Sequence, residues 1–327
     1  MDDIILIDKN MKEVGVIYAE VDFEVGGGDA TNDFELKTDL DIRGMGIYIP
    51  GTEYGGFIDS CTSDTGESIK TYNGKSWRGL LEEIIAIPDY TVTKGTYMKP
   101  NEMIKSCLSG KMGNLFTVPE YDLSADAIIY MNPKENPKWV GMASFFQSML
   151  SPFGYRLQIS AKHVAPNAPI VVMVEAVPVQ RVTGSLDSNS PLDIEFKETS
   201  RGVTHLICLG QGELEKRERF DWYLGPNGNI QTTQYYFGLD ERTEVFDDSG
   251  AESSADLKRY GKKRFKEIMM QSAVDIVSVD NDIEIEIGDL VEATSGLYSV
   301  TKPLERKVYQ AVYGFGKTYY TLKGDTE

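Results

Sequence analysis

Histidine, cysteine and long apolar runs are the scarce materials of this 327-residue sequence. Two histidines, His163 and His205, leave little room for chemistry that runs on a histidine base. The three cysteines, Cys61, Cys107 and Cys208, are odd in number and widely scattered, which points to free thiols in a reducing cytoplasm rather than to a disulfide framework. No apolar run approaches the ~18 residues of a membrane span. The start, MDDIILIDKN, is acidic with an apolar run of four residues, which is not the pattern of a secretory leader. Basic residues are also in deficit, 33 against 51 acidic ones, for a formal charge of −18. That balance repels nucleic acid from most of the surface and favours solubility.

What the chain does have is hydrophobic patterning on the scale of short strands. With 41% hydrophobic and 26% charged residues it suits a folded protein of two or three units. Val21, Phe23 and Val25 alternate with Asp22 and Glu24, the period of a half-buried strand. Strands are also predicted at Ile4–Ile7, Phe34–Thr38, Gly46–Ile49, Gly55–Cys61 and Ile69–Tyr72, with Pro50 and the glycines supplying turns. Gly26-Gly27-Gly28 lacks the lysine and helix start of a phosphate cradle and reads as a plain turn. Over Tyr72–Pro88 the period changes. Trp77, Leu80, Leu81, Ile84 and Ile85 make one apolar stripe, predicting a helix of about three turns. Asn73 or Ser76 can cap it, Pro88 stops it, and Arg78, Glu82 and Glu83 fall on its solvent face. Residues 1–90 thus read as a small β-barrel with a closing helix.

The texture then shifts. Helices are predicted at Pro100–Gly110 and Met142–Ser151, and strands at Tyr155–Ser160 and Ile170–Val179, an α+β pattern. From Pro191 strands return: Leu192, Ile194 and Phe196 alternate, Val203–Leu209 follows, and Phe220–Leu224 and Ile230–Tyr236 form a hairpin across Gly225-Pro226-Asn227-Gly228. A third helix, Ala255–Gln271, is capped by Ser253 or Ser254 and striped by Leu257, Tyr260, Phe265, Ile268 and Met269. The last strands are expected at Ala273–Val277, Ile283–Ile287, Leu290–Ala293, Leu297–Thr301, Lys307–Tyr313 and Thr318–Leu322. The resulting division is 1–90, an α+β domain from 91–190 and 212–271, and a second β unit from 191–211 and 272–327.

No catalytic, cofactor or metal set emerges. His205 and Cys208 stand three apart in an extended run and so face opposite sides. Gly316-Lys317-Thr318 ends like a phosphate loop, but Ala311 stands where the first glycine belongs, so a hairpin turn is expected. Asp280, Asp282 and Glu284 mimic a calcium loop without its turning glycine, since Ile285 occupies that place. Glu82 and Glu83 diverge by about a hundred degrees on a helix and make a poor carboxylate dyad. One feature opposes the average charge: Lys258, Lys262, Lys263 and Lys266, with Arg259 and Arg264, crowd the third helix. Lys258, Lys262 and Lys266 form one i, i+4 row. It reads as a solvated face balanced by acidic neighbours, as a subunit or partner contact, or, third, as a meeting point with DNA.

Three blocks carry a resemblance: Asn32-Asp33-Phe34-Glu35-Leu36, Gly51-Thr52-Glu53-Tyr54-Gly55-Gly56, and Gly74-Lys75-Ser76-Trp77-Arg78-Gly79-Leu80-Leu81, with a further echo at Ile287-Gly288-Asp289-Leu290-Val291. In order and spacing they resemble the tail-hub (baseplate hub, or tail-associated) family of long-tailed bacteriophages. The family usually has Arg-Thr or Arg-Ser where Lys75-Ser76 stands. The resemblance implies an α+β, mainly β fold: two small tail-tube-like β-barrels with an α+β insert. It implies a non-enzymatic homotrimer at the virion tail tip, folded in the host cytoplasm and without cofactors. Its expected partners are the distal tail protein ring, the tape-measure protein and receptor-binding or fibre proteins, with DNA passing through the lumen unbound. Many hubs carry a C-terminal hydrolase, and none is expected in a chain whose strands run up to Glu327. A carbohydrate-binding module, on Trp139, Trp222 and Tyr223, and a cell-wall hydrolase are the rival readings.

Overall fold

A computed structural model describes residues 3–66, 68–87, 95–120, 127–132, 136–165, 168–185, 193–198, 202–212, 216–251, 253–271, 274–280, 285–295, 298–312 and 315–322. The chain forms two compact units, one of Met1–Asp193, Ser278–Ala293 and Thr301–Lys323, the other of Ile194–Val277, Thr294–Val300 and Gly324–Glu327. The protein is mainly β.

The first unit begins with the predicted short strands: β1 (Ile4–Ile7), β2 (Glu13–Ile17), β3 (Glu20–Gly26), β4 (Asp33–Thr38), β5 (Gly46–Tyr48), β6 (Gly55–Thr62) and β7 (Lys70–Ser76). The strand β7 runs four residues past its expected end at Tyr72. It is pinned along its length between β4 and β6, and only at Ser76 does the chain turn helical. Ser76 Oγ accepts a hydrogen bond from the Gly79 amide and caps α1 (Trp77–Glu82). That helix is shorter than the three turns its stripe predicts. Ile85 bridges Gly141, Ala86 donates to the Val140 carbonyl and accepts from the Trp139 amide, and these extended pairings end the helical period.

Next come β8 (Thr96–Met98), α2 (Pro100–Leu108), β9 (Phe116–Thr117), β10 (Ile129–Met131), α3 (Met142–Leu150), β11 (Tyr155–His163), β12 (Ile170–Pro178) and β13 (Arg181–Ser185). Pro100 opens α2 as expected. After α3, Gly154 takes the left-handed conformation (φ 75°) that lets the chain reverse into β11. β11 and β12 pair along nine residues, and β9 adds in parallel. A core of Trp77, Leu81, Met103, Ile104, Phe146, Leu150, Leu157 and Val172 joins all three helices to this sheet. The helix α1 therefore shares its buried face with α2 and α3.

The second unit holds β14 (Asp193–Glu198), β15 (His205–Leu209), β16 (Arg219–Leu224), β17 (Ile230–Gln231), β18 (Thr243–Asp247), α4 (Ser254–Gln271) and most of β19 (Val274–Asp280). Its central sheet is ordered β17–β16–β15–β18. The hairpin turns where predicted, with Gly228 at φ 74°, but its second arm pairs over two residues only. Ser253 caps α4, accepting from the Asp256 amide while its hydroxyl donates to the Asp256 carboxylate. The helix packs Leu257, Phe265 and Ile268 against Leu206 and Cys208. The expected Tyr260 is exposed, and Gly261 takes its place on the packed face, because a Cβ there would lie 2.3 Å from Cys208 Sγ.

The chain then re-enters the first unit through β20 (Leu290–Ser295), β21 (Tyr298–Val312) and β22 (Phe315–Leu322). The two strands expected at 297–301 and 307–313 are one strand, β21, which absorbs Pro303 with a register shift between Leu304 and Arg306. Gly316-Lys317-Thr318 lies inside β22, opposite Ala311, Gln310 and Tyr309, rather than in the turn. Asp282 and Glu284 lie outside the described residues. In the first unit the sheet runs β22–β21–β3–β4–β7–β6–β5–β1–β2, and β20 joins β21 on one side and β13 on the other. Among the described residues no pairing joins β2 back to β22.

Candidate functional site

The blocks singled out in the sequence converge on one buried cluster. Asn32, at φ 53°, uses its side-chain amide to hold both the amide and the carbonyl of Gly26. Its own carbonyl accepts from the Ser76 amide and hydroxyl, so the first block positions the cap of α1. Gly79 completes this join, since a Cβ there would meet the Asn32 carbonyl oxygen at 2.1 Å. The second block is the turn between β5 and β6. Its Gly51 (φ 79°) donates to the Ala161 carbonyl, and Thr52 accepts from the Ala161 amide, which docks the turn on β11. Gly55 lies under the indole, with Trp77 Nε1 2.4 Å from where a Cβ would stand. Phe57 meets the same ring edge-on at 5.6 Å.

Arg78 was expected in solvent, and the structure buries it. Its Nε and Nη2 donate to Glu53 Oε2 at 2.8 and 2.7 Å, both side chains almost fully enclosed. A guanidinium fork on a carboxylate is what makes that burial tolerable. Glu53 Oε1 has Lys307 Nζ at 3.9 Å, and Lys307 donates to Glu286 Oε2 at 2.8 Å while lying 5.0 Å above the Tyr54 ring. Tyr54 stacks on Tyr309 at 4.8 Å. Burial works against the Lys307 ammonium, but Tyr54, Glu286 and Glu53 outweigh it and hold the group above its ordinary range. Burial pushes the Tyr54 phenol up to about 12. The fourth block adds a second buried pair: Asp289 Oδ1 accepts from Arg156 Nε at 2.7 Å and from the Gln180 amide, and Oδ2 accepts from the Glu286 amide. Arg156, Glu286 and Lys307 carry no sequence signal of their own. Lys307 stands between Arg306 and Val308, and the period of two puts it on the same face of β21 as the buried Tyr309 and Ala311.

This cluster holds cations and anions together deep in the unit, where it ties the β5–β6 turn, α1 and β21 to one another. Outside it, Glu82 caps α3 from a distance, accepting from the Ser144 amide at 2.9 Å and from the Ser144 hydroxyl. That contact keeps Glu82 away from any dyad with Glu83.

In the second unit, His205 and Cys208 face opposite sides of β15. His205 stacks on Tyr223 at 4.4 Å and lies between Asp221 (2.9 Å) and Glu241 (3.1 Å), while Cys208 faces α4. Burial pushes the Cys208 thiol up to about 11. Lys258, Lys262, Lys263 and Lys266 are all exposed on α4. Lys258 Nζ sits 4.6 Å over the Phe220 ring and Lys262 Nζ 5.4 Å over Trp222, whose Nε1 donates to the Lys258 carbonyl. Half of the lysine set thus rests on an aromatic floor from β16. Trp139 is strongly exposed and adopts φ 59°, whereas Trp222 and Tyr223 are half-buried.

No protein-family pattern and no curated protein matches the sequence. Solved structures do match in fold. A tail protein from Neisseria meningitidis MC58 aligns over 99% of this chain and 97% of its own, at 11% identity and a TM-score of 0.50. A 43 kDa prophage MuSo2 tail protein from Shewanella oneidensis covers 99% and 98% at 9% identity and TM-score 0.49. A prophage tail protein from Listeria monocytogenes EGD-e covers 98% and 94% at 13% identity and TM-score 0.47. The fold is similar to that of the Neisseria tail protein, in agreement with the tail-hub resemblance carried by Asn32–Leu36, Gly51–Gly56 and Gly74–Leu81.

Proposed function

We propose that the protein is a structural component of a phage tail tip: the hub at the distal end of the tail, working as a homotrimer and not as an enzyme. The observation that carries this reading is the meeting of all the resemblance blocks in one buried cluster, Asn32 on Ser76 and Arg78 on Glu53. In this reading 1–90 and the pair 191–211 and 272–327 serve as two tube-like β-barrels, and 91–190 with 212–271 lies outside them. The hub closes or extends the tail tube and meets the distal tail ring and tape-measure protein. Outside, it anchors receptor-binding or fibre proteins, and DNA passes through its lumen at ejection. Lys258, Lys262, Lys263 and Lys266 then contact an acidic neighbouring subunit or partner. Particle mass in solution, with a low-resolution image, tests it: a trimeric ring is expected, and a monomer at every concentration overturns it.

The exposure of Trp139 favours one second reading, a carbohydrate-binding tail-tip module. Binding on a glycan array that is lost in Trp139→Ala supports it, and an array without signal removes it.

A further inference from the structure

The turn before β18 is tied to the sheet of the second unit through a titratable side chain. The Asp240 and Glu241 amides close that turn on the carbonyls of Phe237 and Gly238. His205, buried on β15, has a carboxylate beside each ring nitrogen: Asp221 Oδ1 lies 2.9 Å from Nε2, and Glu241 Oε1 lies 3.1 Å from Nδ1. A neutral imidazole carries one N–H and can donate to only one of the two; the protonated ring serves both. Histidine is also the side chain that changes charge between about pH 5 and 8.

The two carboxylates are unequally held. Asp221 is 23% exposed at its side chain and takes Arg219 Nη2 and Nε at 2.8 and 3.0 Å. Burial works against its charge, but the bonds from Arg219 and His205 outweigh it and keep the carboxyl below its ordinary range. Glu241 is 33% exposed, and among the described residues His205 is its one side-chain partner, so water can take it over. A substitute for it stands ready at Nδ1, where Thr243 Oγ1 lies 3.2 Å away. Tyr223 stacks on the ring at 4.4 Å and holds its plane. Arg219, Asp221 and Tyr223 of β16 thus surround the imidazole together with Glu241 and Thr243, while Arg242 between these last two is exposed. Ile207 and Leu209, which follow His205 at alternate positions of β15, are apolar.

We infer that His205 is a proton-operated latch on the 237–241 turn. Charged, the ring donates to Asp221 through Nε2 and to Glu241 through Nδ1, and the turn is fixed. When Nδ1 gives its proton to solvent, the Nε2–H bond to Asp221 stays, the Thr243 hydroxyl donates to the bare Nδ1, and Glu241 turns into water. The turn then keeps its tie through Thr204 Oγ1, which donates to the Asp240 carbonyl at 3.0 Å and accepts from the Arg242 amide at 2.9 Å. Phe237 and Leu239 ride on this turn, both strongly exposed. One proton therefore decides whether they are presented from a fixed or a loosened support. The latch lies wholly within the second unit and holds whether or not the chain is a tail hub.

Two measurements on the full chain test it. In a His163→Gln background His205 is the one histidine left, and the NMR shifts of its ring nitrogens report each N–H directly. Both nitrogens protonated at about pH 5.5, and Nε2 alone at about pH 8.5, are expected. A proton left on Nδ1 at the higher pH, or a ring unchanged between the two, overturns the latch. The second measurement is hydrogen exchange over residues 235–242 in wild type and in Glu241→Gln. An amide side chain can accept from Nδ1–H or donate to the bare nitrogen, so this variant holds the turn in both states. Wild type is expected to exchange about threefold to tenfold faster than Glu241→Gln at about pH 8.5, the worth of a partly exposed bond to a charged group, and no faster at about pH 5.5. Wild type no faster at the higher pH, or faster by the same ratio at both, overturns the latch.

Discussion

Trp77 shows at the residue scale how a motif position becomes structural. The indole is fully buried against Phe57 and the core that ties α1 to α2, α3 and β11. Trp77→Ala is expected to destabilise the protein by ~3–5 kcal/mol, the cost of deleting a buried large aromatic. A melting temperature unchanged within error contradicts this. Arg78 belongs to the same turn of helix and makes a different case. Removing one partner of a buried ion pair leaves an uncompensated charge and costs about 3–5 kcal/mol, whereas removing both is far milder. Arg78→Met alone should therefore destabilise strongly, and Arg78→Met with Glu53→Gln should recover much of the loss. Additive effects in chemical denaturation count against the pairing. The apolar stripe around Trp77 was readable from spacing. The burial of Arg78 was not, because its partner lies 25 positions away in a turn and periodicity reports only one element at a time.

At the scale of elements, the strands were legible because alternation survives folding, and the ends of helices were less so. The helix α1 stops early because Ile85 finds Gly141, a pairing no local rule contains. The helix α4 was placed correctly by its serine cap, yet its packed face turned on Gly261 rather than Tyr260, since close approach to Cys208 admits no side chain. Gly261→Ala is expected to cost ~1–3 kcal/mol by overpacking, and adding Cys208→Ala should relieve part of it; equal stability of wild type, Gly261→Ala and the double variant in thermal melts contradicts the close contact. A second inter-element contact is sensitive to pH. Glu13, at the start of β2, accepts from the Tyr48 hydroxyl and from His163 Nε2 at 2.9 Å, and His163 Nδ1 donates to the Ala168 carbonyl at 2.7 Å. Both ring nitrogens face oxygen acceptors, an arrangement that favours the protonated imidazole, and the bond to Glu13 raises its titration above the ordinary 6.5. The Tyr48 and His163 bonds lower that of Glu13. A raised histidine contributes its full stability below about 6.5 and loses it as pH climbs through the elevated value; a depressed carboxylate contributes above its ordinary range and loses it as pH falls. The tie is strongest between the two. Melting temperatures across about pH 5 to 9 should show wild type exceeding His163→Gln most near pH 6, with the gap closing as pH rises. A constant gap rules the tie out.

For the whole molecule the sign and placement of charge carry the final prediction. A formal charge of −18 spread evenly over a surface does little beyond about 8 Å at physiological salt, because counterions screen it. A wall that confines duplex DNA is the exception, since the duplex brings one charge per ~1.7 Å within contact range and a basic wall would hold it through many released counterions. If the chain builds the conduit proposed for it, Asp and Glu must dominate the lumen, and the row Lys258, Lys262 and Lys266 must lie away from it. The aromatic floor under Lys258 and Lys262 fits that placement, because a cation held over Phe220 or Trp222 is already partly satisfied. An experimentally imaged ring, with its potential mapped, decides the matter. A negative lumen with the lysine row at a subunit or partner contact is expected. A positive lumen, or lysines lining it, ends the conduit interpretation and leaves the acidity as a matter of solubility.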